Sequence, residues 1–196
     1  VPSGAVQCIA SDNTDITCAQ WQSETVLCVA GLRGRETVVA YYDASTDVYT
    51  TTWCSDQIAC ARYPVIAPLT LDQKNAHRPG DCVMIGEGFM RAPEIAQIRS
   101  ERYEPLVTFD YGYAKLADQM IKSVEAIRWK APDGLDMEGW LILPERLDTV
   151  SINGTLYPMV MNVHGGPVGV STPRCLIRSL PDLLLLQQGY ALFYPN

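Results

Sequence analysis

Short runs of β-branched and aromatic residues, broken by small polar turns, dominate the first part of the chain. Thr25-Val26-Leu27-Cys28-Val29-Ala30 leads into a turn at Gly31-Leu32-Arg33-Gly34-Arg35. Thr37-Val38-Val39-Ala40-Tyr41-Tyr42 leads into Asp43-Ala44-Ser45-Thr46-Asp47, and a further run follows from Val48 to Trp53. This patterning predicts a meander of antiparallel strands. More short runs occur at Gln57 to Arg62, Cys82 to Gly86, Glu94 to Arg99 and Pro105 to Phe109. Strand–turn units of about 8–12 residues imply an all-β sandwich, barrel or propeller. A four-stranded propeller blade takes roughly 40–50 residues. Residues 1–115 then supply two blades and part of a third, too few to close a ring, so on this reading the N-terminal blades are missing.

Beyond Tyr113 the pattern changes. Lys115 to Lys122 mixes polar and apolar residues and reads as a connector. Val124 to Lys130 alternates as a half-buried strand does, Pro132-Asp133-Gly134 marks a turn, and Met137 to Leu143 completes a hairpin. Pro144 to Pro158 reads as a loop with Asn153-Gly154 at its tip. Met159 to Val163 is nearly continuously apolar, broken only by Asn162, which suits a strand buried on both faces. Leu176 to Gln188 has the apolar density of a buried helix, with Gly189 as its C-terminal cap. Tyr190 to Tyr194 is another buried strand. A hairpin followed by strand, crossover helix and strand predicts a mixed, mostly parallel α/β sheet over residues 116–196.

Composition narrows the function classes. The chain has 196 residues, 47% hydrophobic and 19% charged, as globular proteins do. A net charge of −7 without a Lys/Arg cluster argues against binding nucleic acid or an anionic membrane surface. The longest leucine block, Leu183 to Leu186, is far short of the roughly 18 apolar residues that a membrane span needs. Seven cysteines are an odd number with no CxxC pair, and there are two histidines. This pattern encodes neither a zinc site nor a disulfide framework. Most of the cysteines fall in apolar segments and read as thiols packed as small hydrophobes, which favours a reducing compartment. The ten-residue spacing of Cys8, Cys18 and Cys28 reads as strand recurrence. No basic-then-apolar leader precedes the first strands, and a start at Val1 with a stop at Asn196 suggests that both ends are cut.

The segment that carries chemistry is His164-Gly165-Gly166-Pro167, directly after the strand Met159 to Val163. In α/β-hydrolases the loop after the third strand holds a backbone N–H against the developing oxyanion of acyl transfer. Glycine suits such a loop because it admits unusual dihedrals and lets the main chain approach a reacting carbonyl. The alternative is a tight turn that happens to end a strand. The order of hairpin, strand, His-Gly-Gly-Pro, helix and strand favours the hydrolase.

Glu138-Gly139-Trp140-Leu141-Ile142-Leu143-Pro144, Tyr157 to Pro167 and Gln188 to Asn196 together resemble the prolyl oligopeptidase family. Within it the chain is most similar to the dipeptidyl aminopeptidase and acylaminoacyl-peptidase group. Ala92 to Ala96 and Glu104 to Val107 are similar to the last propeller blades of those enzymes. The resemblance implies that residues 1–115 are the C-terminal part of a β-propeller. It implies that residues 116–196 begin an α/β-hydrolase domain, and that the protein is a serine peptidase acting on short peptides without a cofactor or metal. It gives Gly166 the role of oxyanion donor and makes His164 a wall of the site. Gly165 and Pro167 would fix the turn.

The family's serine sits in a later Gly-x-Ser-x-Gly elbow, with its acid and catalytic histidine later still; no such elbow occurs in residues 1–196. The nearest approach, Gly169-Val170-Ser171-Thr172-Pro173, lacks the final glycine and the preceding strand. His77 reads as a solvated loop residue, Asp136 and Glu138 as solvated acids near the hairpin turn, and Asn153-Gly154-Thr155 as a formal glycosylation sequon. The expectation is a fragment that holds the oxyanion loop without the triad and is inert by itself. Two other readings stay open: an esterase of the α/β-hydrolase type, and a non-catalytic β-domain interaction module with an incomplete hydrolase domain.

Overall fold

The computed structural model describes residues 6, 8–60, 64–71, 77–145, 157–166, 169–176 and 179–196. The chain divides into two compact units, Val1–Gly86 with Glu94–Thr108, and Glu87–Pro93 with Phe109–Asn196.

The first unit is built on two four-stranded sheets. In one, β1 (Asp15–Trp21), β2 (Val26–Arg33), β3 (Glu36–Asp43) and β4 (Val48–Ser55) lie in chain order, each antiparallel to the next. In the other, β5 (Ile66–Pro68), β6 (Cys82–Gly88), β7 (Arg91–Arg99) and β8 (Arg102–Thr108) also follow chain order. Successive side chains of a strand point to opposite faces. Cys28, Ala30 and Val39 therefore join one cluster with Cys60, Ile66, Cys82, Met84 and Ile98, while Val29, Val38 and Ala40 form another. Cys28, Cys60, Cys82 and Cys175 are buried, and Cys8 and Cys54 are exposed. A hydrogen bond with Cys28, together with burial, pushes the Cys82 thiol up, away from the reactive thiolate.

Three expectations for this unit need correction. Of the run Gln57 to Arg62, Ala61 and Arg62 lie outside the described residues, and Gln57 to Cys60 does not form a strand: the Ser55 hydroxyl accepts the N–H groups of Gln57 at 3.1 Å and Ile58 at 3.0 Å. That local turn diverts the backbone from a ladder, and only a single bridge forms, at Ala59. Conversely, β1 forms where only the ten-residue recurrence of Cys18 points to a strand. It is an edge strand exposed along most of its length, so no apolar alternation announces it. The three-residue β5 is too short to leave a pattern.

In the second unit, α1 (Tyr113–Met120) is followed by β9 (Ile121–Lys130), β10 (Asp136–Pro144), β11 (Met159–Met161), α2 (Leu180–Gln187) and β12 (Ala191–Pro195). The sheet runs β11-β12-β10-β9. The β9–β10 hairpin is present, with the Gly134 N–H donating to Ala131 O at 2.9 Å in its turn. Phe89, Tyr113, Trp140, Ile142, Leu176, Leu186, Leu192 and Tyr194 belong to its core.

Several details differ from the sequence reading. The sheet is mixed, but among the described residues only β11 and β12 pair in parallel; β10 is antiparallel to both β12 and β9. A parallel pair needs a crossover, whereas a hairpin forces an antiparallel pair. The supposed connector is α1, because Tyr113, Leu116, Ala117 and Met120 recur at helical spacing and pack on the core. Met159 and Met161 of β11 are about half exposed (51% and 54%), so this strand is not buried on both faces. Only Val160 packs against the core. The predicted helix from 176 begins only at Leu180, because Pro181 lacks an N–H and is tolerated only in a first turn. Its end agrees with the expectation: Gly189 has φ 83° and donates to Leu186 O at 3.0 Å while Tyr190 donates to Leu185 O at 3.0 Å. This is the paired arrangement in which a left-handed residue satisfies the last carbonyls. Neither described helix is long and apolar enough to cross a membrane.

Candidate functional site

The candidate loop leaves the carboxyl end of β11, beside the carboxyl end of the parallel β12. In open α/β sheets that edge is where ligands bind. The register Met159↔Ala191, Val160↔Leu192, Met161↔Phe193 is prolonged by the Asn162 N–H, which donates to Phe193 O at 2.8 Å. The upstream arm of the loop is thus tied, at Asn162, to the buried strand β12.

His164 follows, half-buried, its Nδ1 3.0 Å from Gly165 O. A carbonyl only accepts, so in this arrangement Nδ1 carries the proton and the imidazole is turned onto its own loop. Gly165 and Gly166 are exposed. A Cβ added at Gly165 would meet open space. Gly166 has φ 154°, a conformation that side chains resist, so it is the position that requires glycine. Pro167 lies outside the described residues, as do Asn153 and Gly154.

The downstream arm is fastened at successive residues. The Ser171 N–H donates to Asn196 Oδ1 at 2.6 Å, and Asn196 Nδ2 donates back to Ser171 O at 3.0 Å. Trp140 Nε1 donates to that same carbonyl at 3.2 Å. Arg174 lies 3.3 Å from the buried Asp182 carboxylate, with its guanidinium 5.3 Å from the Tyr194 ring centre. The Cys175 N–H donates to the buried Glu87 carboxylate at 3.0 Å. The Leu176 N–H donates to the Tyr113 hydroxyl at 2.9 Å, and that hydroxyl donates to Phe89 O. Burial pushes the Tyr113 phenol well above its ordinary range, so it stays a neutral donor.

Ser171, the nearest approach to an elbow serine, sits in an irregular segment with both main-chain groups engaged and its hydroxyl 3.5 Å from Pro195 O. His77 belongs to the first unit, where its Nδ1 is 3.1 Å from Thr70 O. Asp136 and Glu138 pair across the hairpin with Lys130 at 2.6 Å and Arg128 at 3.7 Å. The sequence reading missed Asn196 and Trp140 as supports of this region. No local pattern could have paired Asn196 with Ser171, which is 25 positions away.

No protein-family model matches the chain, and no curated protein matches it in sequence. Solved structures do match in fold. The acylaminoacyl peptidase of Pyrococcus horikoshii superposes over 96% of this chain and 26% of its own, with a TM-score of 0.67 at 15% identity. An acylaminoacyl peptidase in complex with Z-Gly-Gly-Phe-chloromethyl ketone superposes over 98% of this chain and 27% of its own, with a TM-score of 0.65 at 18% identity. A puromycin-hydrolysing peptidase of Mycobacterium tuberculosis covers 91% and 25% respectively, with a TM-score of 0.56 at 19% identity. The likeness to the prolyl oligopeptidase family read from the sequence is therefore present in the fold, over a chain that spans about a quarter of the length of these peptidases.

Proposed function

We propose that residues 1–196 are part of a serine-type peptidase of the prolyl oligopeptidase family that hydrolyses short peptides through an acyl-enzyme. The two meander sheets of the first unit are two blades of a β-propeller. The second unit, with a domain boundary near residue 115, opens an α/β-hydrolase domain. The observation that carries this reading is Gly166. It sits in the loop off the carboxyl end of the β11/β12 pair at φ 154°.

In acyl transfer a nucleophile attacks the scissile carbonyl and its oxygen becomes an oxyanion. A pre-oriented main-chain N–H aimed at that oxygen costs no reorganisation as the charge develops, and one such donor is worth about 10²–10³ in kcat. In the proposed site Gly166 is that donor. His164, held on its own loop by the Nδ1 contact, forms the wall rather than acting as base, and Gly165 shapes the turn. The nucleophile, its base and the acid come from outside residues 1–196, since a donor alone stabilises a charge that nothing here generates. No metal or cofactor takes part.

The test is fluorophosphonate labelling, with hydrolysis of a short chromogenic peptide, on residues 1–196 and on the full-length chain that contains them. Labelling and turnover are expected only in the longer chain. A full-length protein that takes no label would remove the peptidase reading.

A further inference from the structure

Among the described residues, the Asn196 side chain grips the main chain of Ser171 from both sides, accepting from its N–H and donating to its carbonyl. A carboxamide suits this because it presents an acceptor and a donor side by side, as a peptide group does. The Ser171 carbonyl also accepts from Trp140 Nε1, so both of its lone-pair directions are used.

The chain between the two anchors contains Gly166. Upstream, Asn162 is tied to Phe193; downstream, Ser171 is tied to Asn196. Phe193 lies in β12 and Asn196 directly follows it, so both ends of the loop hang from one line of backbone. At about 3.3 Å per residue the anchor points are roughly 10 Å apart. β12 is the right support for this, because Ala191, Leu192, Phe193 and Tyr194 are buried and it pairs with β11 on one side and β10 on the other. A loop closed at both ends on a rigid strand has far fewer conformations than one held at a single end.

We propose that Asn196 is a positioning residue that holds the His164–Gly166 loop in register for oxyanion binding. This rests on the peptidase reading above. Asn196 touches no reacting atom; it acts through Ser171 on the placement of the Gly166 N–H. Misplacing such a donor by about 1 Å costs on the order of 100-fold in rate.

The test uses Asn196→Ala and Asn196→Asp in the full-length chain. Asp keeps an acceptor for the Ser171 N–H but turns a carboxylate oxygen toward the Ser171 carbonyl, so it is expected to fail as Ala does. Both variants should lower kcat by about 10- to 100-fold while KM stays within about twofold. Both should also speed amide exchange at Gly165, Gly166, Gly169 and Val170 while leaving Leu141 and Leu192 protected. That second readout separates loss of the anchor from loss of the fold. A labelled, active wild type whose Asn196 variants keep kcat, or whose exchange changes extend over the whole β10–β12 pair, overturns the positioning role alone. A wild type that takes no fluorophosphonate overturns the peptidase reading and this role with it.

Discussion

At Gly166 an alanine would have to hold φ 154° with a Cβ in place, which costs about 1–3 kcal/mol. The loop relaxes instead, and the donor moves. On the proposed peptidase function, Gly166→Ala is expected to lower kcat of the full-length chain by about tenfold or more, whereas Gly165→Ala, which meets open space, should cost far less. Steady-state kinetics on the two variants distinguishes them. Tyr113 makes a pH prediction. Its phenol is kept neutral by burial, so its folded pKa lies above the ordinary value of about 10. Above that pH the unfolded phenol ionises while the folded one does not. The stability that Tyr113 contributes is therefore complete below about pH 10 and falls as pH rises beyond it. Thermal melts from about pH 8 to 11 should show this fall, shallower in Tyr113→Phe, which should also melt lower at neutral pH for want of the Phe89 and Leu176 hydrogen bonds.

Among the elements, the turn between β1 and β2 depends on a buried amide. Gln22 Nε2 donates to Leu69 O at 2.7 Å, Asp81 O at 3.0 Å and Arg78 O at 3.2 Å, and its Oε1 accepts the Gly80 N–H at 2.9 Å. Each buried group left unmade costs about 1–3 kcal/mol. Gln22→Leu is expected to lower the urea midpoint of unfolding clearly, although leucine is the more hydrophobic residue. An unchanged midpoint would show that these bonds contribute nothing net. The helices show how far patterning reaches. The face of α1 is present as Tyr113, Leu116, Ala117 and Met120, but eight residues give barely two turns, too few for their spacing to stand out from a connector. The start of α2 was written in Pro181 but outweighed by the apolar run that precedes it.

For the whole molecule, the division into units is discontinuous in sequence: Glu87–Pro93 counts with the second unit. Phe89 from this short segment packs edge-on to Trp140 at 5.8 Å and stacks on Tyr194 at 5.9 Å. Removing such a ring costs about 3–5 kcal/mol. Phe89→Ala should destabilise the second unit by about that amount in urea titrations followed by Trp fluorescence. A fragment of residues 109–196, which lacks Phe89 and Ala92 altogether, should not give a cooperative transition.

The alternating strands, the hairpin at Pro132 to Gly134, the cap at Gly189 and the His164–Pro167 motif are each written in neighbouring residues and are legible without the fold. Patterning of this kind reports the local period and the local turn chemistry. The tertiary structure alone decided the rest. Whether Met159 and Met161 face a core, which strand lines the other edge of β12, and which unit owns Phe89 all depend on partners distant in the chain. Asn196 is the sharpest case. An asparagine after an apolar strand has no special look, and its role arises only when folding brings its carboxamide to the Ser171 backbone, satisfying a donor and an acceptor that no local turn supplies.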